Sequence, residues 1–198
     1  MKPPPNPTRR ELLTAVAGIT VGSAMSVSAF AQGVARPDKP MLVAYFSRSG
    51  NTRVVAGLLQ RAFAADLFEI LPATAYPDDY LATVEQARRE RDKGIEPALK
   101  AKVPGVERYA TIFLGLPIWG GTAPPVIRSF LSAHDLRGKA LIPFITHGGY
   151  GLGNSQRVIA SHAANARLQP AFSMQADQER KTMDLVSTWL AGPSPKPR

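Results

Sequence analysis

Residues 41–53 read Met-Leu-Val-Ala-Tyr-Phe-Ser-Arg-Ser-Gly-Asn-Thr-Arg, and the reading of the whole chain turns on them. Met41 to Phe46 is a continuous apolar run rich in β-formers. It is too short for a helix and fits a strand buried on both faces. Ser47 to Thr52 is small and polar, and Val54 to Phe63 has helical spacing. The unit is therefore strand, tight loop, helix. The loop carries hydroxyls at Ser47, Ser49 and Thr52, an amide at Asn51 and a flexible Gly50. Backbone N–H groups gather at a helix N-terminus, where the helix dipole favours an anion. Such a loop can hold a phosphate monoester without a lysine. It is not a Walker A loop, because the Gly-Lys-Ser/Thr ending is missing. A plain turn with an ordinary N-cap would show the same residues.

Working outward, Leu67 to Leu71 is expected as a second strand, and Pro72 to Asp79 as a loop. Tyr80 to Lys93 has helical spacing, with Leu81, Val84 and Ala87 as its apolar face, and Gly94 and Pro97 end it. Residues 95–108 are polar and irregular. Thr111 to Leu116 is a third buried strand, followed by a loop and a helix from Val126 to Ala133, with Pro125 suited to its first turn. Ala140 to Thr146 is a fourth strand, Ser155 to Asn165 a helix, Leu168 to Phe172 a fifth strand and Asp177 to Leu190 a closing helix. Trp189 has core spacing in that last helix. Five strands alternating with helices predict a parallel sheet covered on both faces. The loops after strands one, three and four must share its carboxyl edge. In the order 2-1-3-4-5, strands one and three flank the switch point where ligands bind.

The 198 residues suffice for one domain with a sizeable core. The absence of cysteine removes disulfides, thiolate metal sites, iron–sulfur clusters and cysteine nucleophiles together. His134, His147 and His162 are scattered, so no metal site is expected. The net charge of +9 suits an anionic partner. No basic–aromatic stripe accompanies it, and Arg88 to Lys93 interleaves bases with acids, so nucleic acid is not expected.

Residues 1–31 are expected to be a cleavable export signal. Lys2, Arg9 and Arg10 form a basic start, Leu12 to Phe30 is weakly apolar, and Ala29-Phe30-Ala31 is a small-x-small cleavage site. Thr8-Arg9-Arg10-Glu11-Leu12-Leu13 resembles a twin-arginine signal, implying an exported or periplasmic protein. The weak hydrophobicity argues against stable membrane insertion after cleavage. Loss of this segment removes three bases and one acid, leaving +9 − 2 = +7. Residues 32–40 then form a short linker, 41–191 the domain and 192–198 a disordered tail.

Three motifs on this framework resemble the flavodoxin family, over Met41 to Leu190. Ser47-Arg48-Ser49-Gly50-Asn51-Thr52 is similar to the family's phosphate loop. Pro117-Ile118-Trp119-Gly120-Gly121-Thr122, continuing to Pro125, and His147-Gly148-Gly149-Tyr150-Gly151 are similar to the loops that frame the flavin ring. The resemblance implies a three-layer α/β flavodoxin-like fold with a five-stranded parallel sheet. It also implies bound FMN, with the first loop on the phosphate and the other two along the isoalloxazine. Trp119 and Tyr150 are the stacking candidates; a packed core aromatic is the alternative for Trp119. His147 stands where the resemblance leads one to expect Ser or Thr.

A receiver domain would need acids where Ser47 and Leu116-Pro117 stand. A dinucleotide-binding domain would need G-x-G-x-x-G after the first strand. Two flavin classes remain: an electron carrier, which is favoured, with a redox partner expected to be acidic, and an NAD(P)H-dependent flavin or quinone reductase. No catalytic acid–base pair or nucleophile emerges, and the oligomeric state is open.

Overall fold

A computed structural model describes residues 40–176, 186 and 188–192. The expected export signal and most of the expected linker and tail lie outside the described residues. The strands are β1 (Met41–Tyr45), β2 (Asp66–Glu69), β3 (Thr111–Pro117), β4 (Ala140–His147), β5 (Arg167–Leu168) and β6 (Phe172–Gln175). The helices are α1 (Asn51–Phe63), α2 (Tyr80–Asp92), α3 (Pro125–Ala133) and α4 (Ser155–His162), with a 3-10 turn at Val106–Arg108. The sheet runs β2-β1-β3-β4-β5, every pair parallel, as the buried apolar runs predict.

Alternation along the central strands divides the core. Leu42, Ala44, Ile112, Leu114, Leu116, Leu141 and Ile145 pack with Val126, Ile127, Phe130 and Ile159 of α3 and α4. Met41, Val43, Tyr45, Phe113, Ile142 and Phe144 face the other way, onto Val55, Ala56 and Leu59 of α1. Each of these large side chains contributes about 1.5–3 kcal/mol when fully buried. Residues 186 and 188–191 are helical, and Trp189 stacks on Phe172 with centroids 4.6 Å apart, the core role expected of it. Most of the expected closing helix, 177–185, lies outside the described residues.

Three expectations are corrected. Helix α1 begins at Asn51, not Val54, because Gly50 in the left-handed region turns the chain straight into it. The single strand Leu168 to Phe172 is broken into β5 and β6, both on β4. Leu168 pairs with Leu141 but Phe172 with Phe144, so the edge strand spends one extra residue. Pro170 falls in that gap, where its missing N–H costs no ladder bond.

The third correction concerns α2. Leu81 is 72% and Val84 45% exposed, and the buried residues are Thr83, Ala87 and Glu90. The helix sits polar side down because partners wait beneath it. Thr83 Oγ1 donates to the carbonyl of Pro77 at 2.6 Å, and Tyr76 donates its hydroxyl to Glu90 Oε2 at 2.9 Å. Gln86 Nε2 donates to the other Glu90 oxygen at 2.8 Å. Asp79 caps the helix, accepting the Ala82 N–H at 2.7 Å, worth about 1 kcal/mol.

Candidate functional site

A cleft of about 530 Å³ opens where β1, β3 and β4 end, a volume in the range of small-molecule sites. It brings together Arg48, Ser49 and Asn51 of the first loop, Pro117, Ile118, Trp119 and Gly120 of the second, and His147 and Gly148 of the third. The remaining expected site residues, Ser47, Gly50, Thr52, Gly121, Thr122, Gly149, Tyr150 and Gly151, do not line it. Tyr150 is 97% exposed and projects into solvent.

Two residues outside the lining shape the first loop. The buried Ser47 hydroxyl accepts the N–H of Gly50 at 3.2 Å and of Arg53 at 3.3 Å, so it folds the loop onto itself. Its own proton is left to donate. Gly50 has φ +95° with no atom within 4 Å of where a Cβ would stand, so the space beside it at the start of α1 is open. The first amides of a helix have no acceptor within it, so this opening suits a phosphate. Thr52 Oγ1 lies 2.9 Å from Thr146 Oγ1, both buried, tying α1 to β4 beneath the cleft. Arg48 reaches toward α2, donating to the Asp78 carbonyl at 2.7 Å with its guanidinium over the Tyr80 ring.

The second loop is a two-residue hairpin. Trp119 and Thr122 exchange both backbone hydrogen bonds, at 2.9 and 3.2 Å, with Gly120 at φ +56° and Gly121 at φ +76°. Both central residues need positive φ in a type I′ turn, hence the Gly-Gly pair. The turn aims Trp119 into the cleft while its ring leans edge-on against Phe46 and Tyr76, centroids 5.2 and 4.9 Å away. Trp119 thus lines the cleft and also packs on the core aromatics, the alternative expected of it. Burial, with the bond to Glu90, holds the Tyr76 hydroxyl well above its ordinary pKa, so it stays a donor. In the third loop His147 Nδ1 accepts the Gly149 N–H at 3.2 Å.

The wall that sequence reasoning missed is α2. Tyr80, Thr83, Val84, Ala87, Arg88 and Arg91 all line the cleft, with Thr146 and Ala176. The available signal was the spacing of Tyr80, Val84, Ala87 and Arg91, one face of a helix. Arg53, adjacent in sequence to the phosphate loop, instead pairs with Glu69 at 2.6 Å outside the cleft. Among the described residues the cleft's charged lining is therefore Arg48, Arg88 and Arg91, with no carboxylate. No group of three or more His, Asp or Glu that could hold a metal occurs among the described residues.

A doubly wound sheet whose loops after β1, β3 and β4 converge on one cleft at its carboxyl edge is an open α/β fold with its cleft at the switch point where such sheets take ligands. The flavodoxin family profile matches residues 40–192, and the chain belongs to that family. A protein of Bacteroides eggerthii assigned as a flavoprotein is 31% identical, over 78% of this chain and 97% of its own, with a TM-score of 0.66. A second from Bacteroides uniformis is 28% identical, over 78% of this chain and 99% of its own, at 0.68. A flavoprotein of Lactobacillus acidophilus, solved in complex with FMN, shares the fold at 20% identity, over 74% of this chain and 99% of its own, at 0.61. No curated protein sequence matches the chain significantly.

Proposed function

We propose that the chain is an FMN-binding electron carrier that works outside the cytoplasm and exchanges electrons with an acidic redox protein. The observation that carries this reading is the convergence of three loops on one cleft whose charged lining is entirely basic. The donor set fits FMN. The Ser49 hydroxyl and the first amides of α1 would hold the phosphate, and the backbone of Pro117 to Gly120 and of Thr146 to Gly148 would border the flat ring. Bound FMN supplies the redox chemistry. The protein's part is to hold it: the Thr52–Thr146 bond fixes the phosphate loop against β4, and the Gly120-Gly121 turn presents Trp119.

Arg9 and Arg10, with the Ala29-Phe30-Ala31 site, support export by the twin-arginine route. The charge of +7 left after cleavage, with three arginines at the cleft, supports an acidic partner by steering encounter. The test against a reductase is stopped-flow mixing of the FMN-loaded protein with NADPH and NADH. A carrier is reduced slowly by either and fast by a reduced acidic carrier protein such as a ferredoxin. Rapid reduction by NADPH makes the protein an enzyme instead.

A further inference from the structure

We infer that Gly153 is a positioning residue for FMN: its bare α-carbon lets the third loop close against the second, and that contact sets the spacing of the two loops that would border the flavin ring. This rests on the FMN reading above and adds to it a residue outside the cleft lining on which the width of the cleft depends.

The two loops leave neighbouring strands, β3 and β4, and each is fixed at its stem. The Ile118 N–H donates to the Thr146 carbonyl at 2.9 Å, and the Ala176 N–H to the His147 carbonyl at 2.8 Å. Beyond its stem the third loop runs on through Gly148 and returns to the second at its far end. There the Asn154 N–H donates to the Gly121 carbonyl at 3.0 Å. Thr122 and Ser155, the next residues along from Gly121 and Asn154, carry buried hydroxyls with no hydrogen-bond partner. Neither of those side chains ties the loops by a hydrogen bond, and the junction is backbone against backbone.

Gly153, at φ +52°, makes this approach possible. A Cβ there would overlap the Gly121 carbonyl oxygen and stand 2.5 Å from its carbonyl carbon and 3.0 Å from its Cα. Carbon atoms pack best at about 3.5–4.0 Å, so a side chain at position 153 must part the loops by about 1 Å. The atoms it meets are backbone and cannot rotate aside. By contrast, a Cβ on Gly120 would meet Arg91 Nη1, the end of a flexible side chain that can swing away. Neither Gly121 nor Gly153 lines the cleft, but their loops do, through Trp119 and Gly120 on one and His147 and Gly148 on the other. Groups that bind a ligand well are held to within about 0.5 Å of their working places. Parting the loops by twice that distance loosens the fit around a flat ring without any change in the residues that would touch it.

The experiment compares wild type, Gly153→Ala and Gly138→Ala by FMN titration, by the visible circular dichroism of bound FMN at saturation, and by urea unfolding. Gly138 lies in the turn before β4, at the opposite edge of the sheet, with φ +67° and no atom within 4 Å of where a Cβ would stand. Its alanine variant carries the same left-handed strain with no collision, so both variants should lose stability. Gly153→Ala alone should bind FMN more weakly, by about tenfold, near the worth of one hydrogen bond. It alone should also alter the circular dichroism of the bound flavin, which a loss of stability by itself leaves unmoved. Should Gly153→Ala not fold, amide exchange in the wild-type protein decides: the Asn154 N–H should be protected without FMN and more strongly protected with it. Affinity and dichroism unchanged in folded Gly153→Ala, or changed equally in Gly138→Ala, overturn the inference and leave the FMN reading intact. So does an Asn154 amide that exchanges freely in the FMN-loaded protein. A wild-type protein that takes up no FMN overturns both.

Discussion

The Thr52–Thr146 bond separates two roles that the phosphate loop combines. Thr52 Oγ1 is buried and 2.9 Å from Thr146 Oγ1, whereas Ser49 faces the cleft. Thr52→Val strands the Thr146 hydroxyl in the interior, and Thr146→Val strands that of Thr52. A buried polar group left without a partner costs about 1–3 kcal/mol. Each single change should therefore destabilise the fold by about that much, roughly 2–10 °C in Tm for a domain of this size. The double variant places two methyl groups where two hydroxyls met and should cost much less than the sum, a coupling of about 1 kcal/mol or more. Urea unfolding followed by tryptophan fluorescence measures all four proteins, with m required to stay constant. Ser49→Ala should leave the urea midpoint unchanged while weakening FMN by about 1.5–3 kcal/mol, one to two powers of ten. Additive losses in the cycle, or a Ser49 variant that loses stability rather than affinity, would refute this division.

Further expectations follow from other parts of the molecule. His134 Nε2 accepts the Val103 N–H at 2.9 Å and its Nδ1 lies 2.7 Å from the Phe130 carbonyl, an arrangement that requires the neutral ring. Burial pushes its pKa down, opposed by the Phe130 bond and aided by Lys102. The unfolded chain then binds more protons, so stability is full above about pH 6.5 and falls below it, by at most about 1.4 kcal/mol per pH unit. The urea midpoint should drop between pH 8 and pH 5.5, and His134→Gln should flatten that drop; an unchanged slope would contradict it. Asp135 does not confuse this window, since Arg137 holds its carboxyl at about 2. Changing Arg9 and Arg10 together to lysine should leave uncleaved protein in the cytoplasm, and normal processing of that variant would point to the Sec route. The second-order rate of electron transfer with an acidic cytochrome should fall as ionic strength rises; a flat or rising rate would place the basic charge away from the docking face.

The central sheet was legible because Met41–Tyr45, Thr111–Pro117 and Ala140–His147 are buried on both faces and read as unbroken apolar runs. The three loops followed from topology, since parallel strands must exit on one edge. What escaped depended on partners distant in sequence. The orientation of α2 is set by Tyr76, fourteen residues before Glu90, and apolar spacing alone favoured the wrong face. Thr146 read as the end of a strand, and its partner lies 94 positions earlier. Arg91 sat within a mixed charge run whose natural reading is a solvated helix face; in the fold its guanidinium lies beside Gly120 and it lines the cleft. The break at Pro170 was visible in the sequence, but the shift of register was not.

The account stands most directly on the identity of the cofactor. Protein recovered with its flavin, or reconstituted and freed of excess, should be precipitated with acid and the released chromophore resolved by chromatography. The expected result is non-covalent FMN at one per chain, with Ser49→Ala holding less at equal total flavin. Release of FAD, or no bound flavin after reconstitution of folded protein, would contradict it.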